Sequence, residues 1–255
     1  MPAGKDAAEE VSAAPQPSRR VRDEWSRRVE VEYRSAALTG HLALWLIQAG
    51  VSPDLIRLAL QIVDDELAHA ELAHAVAVAA GATPRTVDRG GLALVRREVE
   101  PLEHDVVRTC VGTFCLGETV AVPLFRALRE PCTVAVARRA LDRVLRDEVH
   151  HRDFGWSLLG WLFETGDGAA LRALVERELP AQLAAVRAVY APGDADRAAG
   201  DAPADRCTPA ERAWGLMPRR LYRDILAATF ERDYVPRFAK LGIDARRAWS
   251  ARGTI

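Results

Sequence analysis

Two short stretches of the chain decide its fold: DELAH at residues 65–69 and DEVHH at residues 147–151. Both have the form Asp-Glu-x-x-His, so in each the Glu and the His are three positions apart. On an α-helix this spacing places a carboxylate and an imidazole next to each other on one face. One such motif in an Ala-rich helix is a weak indication. Two motifs, one in each half of a helical pattern, are a much stronger one.

The apolar residues on both sides of these motifs recur at helical spacing, and Gly and Pro mark the breaks between helices. The pattern predicts four long helices and a fifth, at 21–49, 53–80, 103–130, 133–165 and 169–190. A polar linker follows at 192–206, and a last helical stretch at 208–241 is interrupted near Pro218 and Pro236. No segment of useful length alternates with period two, so the predicted fold class is all-α.

The connections between the four long helices are short, long and short. Short connections make neighbouring helices antiparallel, whereas about twenty residues can extend about 60 Å and so travel back along a bundle about 40 Å long. Helices two and three can therefore run parallel. We expect the crossover topology of ferritin-like four-helix bundles, with the C-terminal helices added to it.

Helices one and three are expected to contribute one inward Glu each, and the candidates are Glu32 and Glu118. Glu32 and Glu66 lie at nearly equal distances on either side of Gly50, so their levels differ by about 3 Å at 1.5 Å per residue. Glu30 is the alternative to Glu32, but it points to another face. Four carboxylates and two imidazoles neutralise two divalent metals, and such oxygen-rich ligation favours iron or manganese over zinc or copper.

The combination of two Glu with two Glu-x-x-His motifs resembles the ferritin-like di-iron carboxylate proteins, which include bacterial multicomponent monooxygenases, ribonucleotide reductase small subunits, acyl carrier protein desaturases and rubrerythrins. The resemblance covers residues 21–165. It implies two iron ions, with manganese as an alternative, and six ligands: Glu32, Glu66, His69, Glu118, Glu148 and His151. It also implies that Asp65 orients His151 and that Asp147 orients His69, because an imidazole ligand needs its second N–H fixed.

The chain departs from particular members of this group. Ala68 and His150 stand where oxygenases and reductases often have Arg, and Ala73 stands where ribonucleotide reductases carry a radical Tyr. A further Glu-x-x-His at 71–74 is expected to face solvent, because it is displaced around the helix by about 140°. His150 is expected to flank the site rather than bind metal.

The 35 basic and 36 acidic residues give a net charge of −1, which argues against nucleic acid as a partner. The four cysteines form no Cys-x-x-Cys pair and are expected to be reduced thiols in a cytoplasmic protein. The longest apolar run, 42–49, is too short for a membrane span. Residues 1–20 are expected to be a loose tail, 21–165 the bundle, and 166–255 further helices in the same domain.

The expected function is that of a non-haem di-iron oxidoreductase, of the oxygenase, hydroxylase or desaturase type, that activates O₂ and oxidises a small organic substrate. The alternatives are a ferroxidase or iron-handling protein, and a metal-binding scaffold without turnover. Electrons would come from an external ferredoxin or reductase, and the sequence allows a homodimer. A substrate pocket is expected at Phe114, Cys115 and Val122, beside a bend at Pro123 and under the aromatic-rich segment 208–241.

Overall fold

The computed structural model describes residues 14–84, 86–191 and 206–250. Within these ranges every regular element is a helix, so the predicted all-α class is confirmed. The elements in chain order are α1 (Arg19–Gln48), α2 (Pro53–Ala79), α3 (Leu102–Arg129), α4 (Ala135–Glu164), α5 (Gly168–Tyr190), α6 (Pro209–Ala213), α7 (Arg219–Thr229), α8 (Val235–Lys240) and α9 (Ala245–Ser250). Most of the expected tail, and the linker up to residue 205, lie outside the described residues.

The local signals for helix ends explain most of these boundaries. Gly50 and Gly81, which follow α1 and α2, have positive φ angles of 65° and 78°, a conformation that Gly adopts without steric cost. Pro218 precedes α7, as predicted, but Pro236 does not interrupt the last stretch. The helix continues without a break from α7 through a π turn at Phe230–Tyr234 into α8, and Pro236 follows this irregular turn as the second residue of α8.

Helix α4 begins at Ala135, two residues after the predicted start at 133. The N-cap residue is Val134, which has an extended backbone. The N–H groups of Thr133 and Val134 both donate to the carbonyl oxygen of Ala213, each at 3.0 Å. The C-terminal part of the chain therefore satisfies the backbone at this turn, a partner that local sequence does not reveal.

The four long helices share one continuous apolar core. Helix α1 packs along α2, α2 packs against α4, and α4 packs against α3; the first part of α3 also contacts α1. The later helices add to this core, with α5 against α3 and α4 and α7 against α3 and α5. Trp25 donates its indole N–H to the carbonyl of Trp214 at 2.9 Å, and both side chains are buried.

Helix α3 is irregular in its middle. Residues Cys110–Glu118 are π-helical, and Pro123 follows in a regular α-helical stretch, Thr119–Arg129. The irregularity thus precedes the proline at which the sequence predicts a bend. The hydroxyl of Tyr234 donates to the carbonyl of Leu116 at 2.5 Å, so the C-terminal segment contacts the π-helical segment directly. Segments of this kind are frequent at functional sites.

Helix α3 is also long and apolar enough to cross a membrane by length and composition. In this structure 56% of its most apolar stretch is buried inside the protein. A core helix of a folded domain has the same properties, so they are weak support for a membrane span.

Candidate metal centre

Each long helix contributes to one cluster of acidic and imidazole side chains: Glu32 from α1, Glu66 and His69 from α2, Glu118 from α3, and Glu148 and His151 from α4. All are buried except Glu118, which is partly exposed. The cluster contains two groups able to hold a metal ion, in each of which the ligand atoms lie within 4.8 Å of one another. The first group is Glu32, Glu66 and His69, and the second is Glu66, Glu118 and His151.

Glu66 lies at the centre because it belongs to both groups. Its Oε2 is 3.6 Å from Nδ1 of His69, and its Oε1 is 3.4 Å from Nδ1 of His151. The Ser35 hydroxyl donates to the same Oε1 at 3.0 Å and holds the carboxylate in place. Glu66 would therefore help to hold both ions if the two groups each bound one. Glu148 stands beside the second group, with its Oε2 3.9 Å from Nδ1 of His151.

The outer nitrogens of both imidazoles face aspartates. Nε2 of His69 is 3.1 Å from Oδ2 of Asp147, and Nε2 of His151 is 3.5 Å from Oδ2 of Asp65. This is the pairing that the resemblance implies. Only the His69 contact is a hydrogen bond; Nε2 of His151 faces Asp65 without one. A proton on the Nε2 side of each ring would leave the lone pair of Nδ1 directed at the interior of the cluster.

Five polar atoms of the cluster are buried and have no hydrogen-bond partner among the described residues. One is Nε2 of His151, and the other four lie on the inner side of the cluster: Oε2 of Glu66, Oε2 of Glu148 and Nδ1 of both His69 and His151. A buried polar atom without a partner costs about 1–3 kcal/mol, and more when it is charged. Metal ions at this position would satisfy all four atoms at once. Four carboxylates and two imidazoles also match the charge and ligand preference of two divalent iron or manganese ions. The residues therefore fit a dinuclear centre.

The electrostatics of the carboxylates agree with this interpretation. Burial raises the pKa of Glu32 and of Glu148 well above the ordinary value, and neighbouring carboxylates raise both further. Burial likewise raises the pKa of Glu118. Cations that bind here would have to displace protons that these carboxylates hold more strongly than ordinary ones.

Glu66 behaves in the opposite way. Burial alone would raise its pKa, but the adjacent imidazoles of His151 and His69 lower it to about 2. Burial alone would lower the pKa of His151, but the adjacent carboxylate of Glu66 raises it. The central carboxylate is thus the one that keeps its negative charge in the metal-free protein.

The other candidates lie outside the cluster. Glu71 and His74 are exposed, as predicted for the second Glu-x-x-His of α2, and His150 is exposed beside His151. Glu30 is half-buried and, among the described residues, is in neither metal-binding group.

The expected pocket residues lie in the core. Phe114 and Cys115 belong to the π-helical segment and are buried, as is Val122. The ring of Phe114 packs edge-on against Phe154, with 4.9 Å between the centroids. A surface groove of about 550 Å³ lies elsewhere, between α5 and the residues around Ile243. A substrate pocket at the three predicted residues stays a prediction.

Two charged residues near the cluster escaped the sequence analysis. Arg28, one turn before Glu32, is buried, stacks on Trp25 with 4.2 Å to the ring centroid, and donates to the carbonyl of Gly215 at 3.1 Å. Arg143, one turn before Asp147, contacts both Asp147 and Asp65. Both follow the four-residue helical spacing from a predicted site residue, which is the signal that could have identified them.

Comparison with models of known protein families and with curated proteins gave no match to this chain. The proposed function therefore depends on the residues of the centre and on their geometry.

Proposed function

We propose that this chain is a ferritin-like, non-haem di-iron oxidoreductase that activates O₂ and oxidises a small organic substrate. The observation that carries the proposal is the position of Glu66 between the inward-facing Nδ1 atoms of His69 and His151. The ferritin-like topology is part of the proposal. It is supported by the short α1–α2 and α3–α4 connections, the long connection between α2 and α3, and the packing of α2 against α4.

When bound, a pair of iron ions supplies the redox chemistry with O₂. The chain's own residues hold and orient the centre. Glu66 belongs to both halves of the centre, Glu32 contributes to it from α1, and Glu118 contributes to it from α3. Aspartates behind the two imidazoles hold these rings in place. The apolar core around the cluster limits water at the centre, which strengthens its electrostatic interactions.

Anaerobic titration with Fe(II) tests the dinuclear centre, and we expect saturation at about two ions per chain. The Glu66→Ala variant is expected to lose both ions, because its carboxylate belongs to both groups. Glu71→Ala is the matched control, since Glu71 begins the exposed Glu-x-x-His on the same helix. Saturation at one ion, or equal binding by the Glu66 and Glu71 variants, would contradict a dinuclear centre.

Iron handling is the second candidate, and Glu118 favours it because this residue is the least buried member of the cluster. Oxygen uptake by the reduced, two-iron protein separates the two functions. An oxidoreductase stops at about two irons per chain and, given an external reductant, couples further O₂ uptake to oxidation of an organic compound. A ferroxidase continues to oxidise and accumulate added Fe(II) without such a compound.

The remaining expectations belong to the same proposal. A ferredoxin or reductase would deliver the electrons, and the protein would act in the cytoplasm. The four cysteines are free and buried, which is compatible with a reducing compartment. A homodimer is tested directly by the mass of the protein in solution.

A further inference from the structure

One guanidinium joins the two acidic residues that lie behind the imidazoles. Arg143 lies on α4, and its Nε contacts Oδ2 of Asp147 one turn further along the same helix. Its Nη2 donates to Oδ1 of Asp65 on α2 at 2.8 Å. Arg143 therefore spans the interface between the two helices that carry the Asp-Glu-x-x-His motifs.

Through these two acids Arg143 acts on both imidazoles. Oδ2 of Asp147, which contacts Arg143, also lies 3.1 Å from Nε2 of His69. Oδ1 of Asp65 accepts the hydrogen bond from Arg143, and Oδ2 of Asp65 lies 3.5 Å from Nε2 of His151. The centre is thus connected twice, by Glu66 on the inside and by the Asp147–Arg143–Asp65 chain on the outside.

The negative charges of Asp65 and Asp147 explain why a guanidinium lies between them. Both aspartate side chains are only 8% exposed, so each needs a cation or hydrogen-bond donors nearby. Burial alone would raise the pKa of Asp147, but hydrogen bonds from Arg143 and His69 lower it, so the carboxylate stays charged. The planar fork of Arg can satisfy two carboxylates in fixed directions, whereas the ammonium of Lys is a single point charge.

We propose that Arg143 is a positioning residue that fixes Asp65 and Asp147 together, so that one side chain outside the ligand set holds both imidazoles and couples the two halves of the metal centre. The inference rests on the proposed dinuclear centre. Loss of one aspartate would affect mainly its own imidazole, whereas loss of Arg143 affects both.

The expected effects follow from this geometry. Arg143→Gln should weaken the binding of both ions by about 10- to 100-fold, the usual effect of removing a partner behind a metal ligand. Arg143→Lys should restore only one of the two ions, because one ammonium reaches one carboxylate at a time. Arg146→Gln is the matched control: Arg146 also contacts Asp147, at 3.4 Å, but its side chain is 66% exposed. We expect it to change neither affinity by more than about twofold.

Anaerobic Co(II) titration followed by visible absorption measures the two affinities without any reaction. NMR of the metal-free protein with ¹⁵N-labelled histidine gives a second readout. The Nε2–H protons of His69 and His151 should both be visible in the unmodified protein and in Arg146→Gln, and both should be lost or shifted in Arg143→Gln. If Arg143→Gln does not fold, Arg143→Lys, which keeps the charge, provides the test.

Two results would overturn the inference: affinities within about twofold of the unmodified protein, or an Arg143→Gln protein that loses only one ion. Failure of the proposed function looks different. If the unmodified protein binds two Co(II) ions but its iron form consumes no O₂, the oxidoreductase proposal fails and the role of Arg143 stands.

Discussion

Gly155 is a position at which a small substitution should have a large effect on the fold. It lies on α4, one turn after His151, where α4 approaches the π-helical segment of α3. A Cβ at this position would lie 2.4 Å from Cβ of Phe114, 2.9 Å from its carbonyl carbon and 3.0 Å from the backbone nitrogen of Cys115. Two of these three atoms are backbone, so a change of rotamer cannot relieve the overlap. The two helices must move apart instead.

The size of the effect can be worked out by comparison with Gly160, five residues further along the same helix. A Cβ at Gly160 would meet no atom of the described residues within 4 Å. Gly→Ala inside a helix gains about 1 kcal/mol, so Gly160→Ala should be more stable than the unmodified protein by that amount. Gly155→Ala has the same gain but adds an overpacking cost of about 3 kcal/mol, at the upper end of the usual range because backbone is involved. We expect a net loss of about 2 kcal/mol, and a difference of about 3 kcal/mol between the two variants.

Urea unfolding of the metal-free proteins, followed by circular dichroism at 222 nm, measures both free energies. Co(II) titration adds a second readout, because separating α3 from α4 moves Glu118 away from His151 and should weaken the second metal-binding group. A Gly155→Ala protein as stable as Gly160→Ala would refute the close approach of α3 to α4.

Three further predictions concern the centre and its surroundings. Metal affinity should increase as the pH rises above about 4.5, because burial raises the pKa of Glu32 and Glu148 in the folded protein and cations must displace their protons. Co(II) should bind more tightly at pH 6 than at pH 5, by at most about tenfold for each proton displaced. Equal affinities at the two pH values would contradict the raised pKa of these carboxyl groups. The free energy of unfolding should change in the opposite direction. Above about pH 4.5 the folded metal-free protein binds more protons than the unfolded chain, so its stability should fall as the pH rises. Urea unfolding at pH 5 and 6 measures this change. Asp147→Asn should weaken metal binding by about 10- to 100-fold without abolishing it; complete loss of both ions would make Asp147 a ligand. Tyr234→Phe should lower the free energy of unfolding by about 1 kcal/mol, because it removes the buried hydrogen bond from the Tyr234 hydroxyl to the Leu116 carbonyl, which keeps the N–H of Thr119 as a donor. An unchanged urea midpoint would show that the hydroxyl contributes nothing.

Local sequence was enough for the helices and for the residues of the candidate centre. The spacing of three in residues 66–69 and 148–151 places each Glu and His on one helical face wherever the helix lies, because the period of an α-helix is fixed by its backbone. Gly50 and Gly81 end their helices for an equally local reason, the positive φ that other residues avoid. These features do not depend on what packs against the helix.

The tertiary structure decided which parts meet. The π-helical geometry of Cys110–Glu118 goes with the close approach at Gly155 and the hydroxyl of Tyr234, both distant in sequence. The start of α4 depends on the carbonyl of Ala213, also far along the chain. In the sequence, Arg143 has the pattern of an ordinary exposed Arg on a helix. Only the packing of α2 against α4 brings Oδ1 of Asp65 within 2.8 Å of its guanidinium. Helical periodicity sets the direction of a side chain around its own axis, whereas its partner on another helix is set by packing, which the local pattern does not contain.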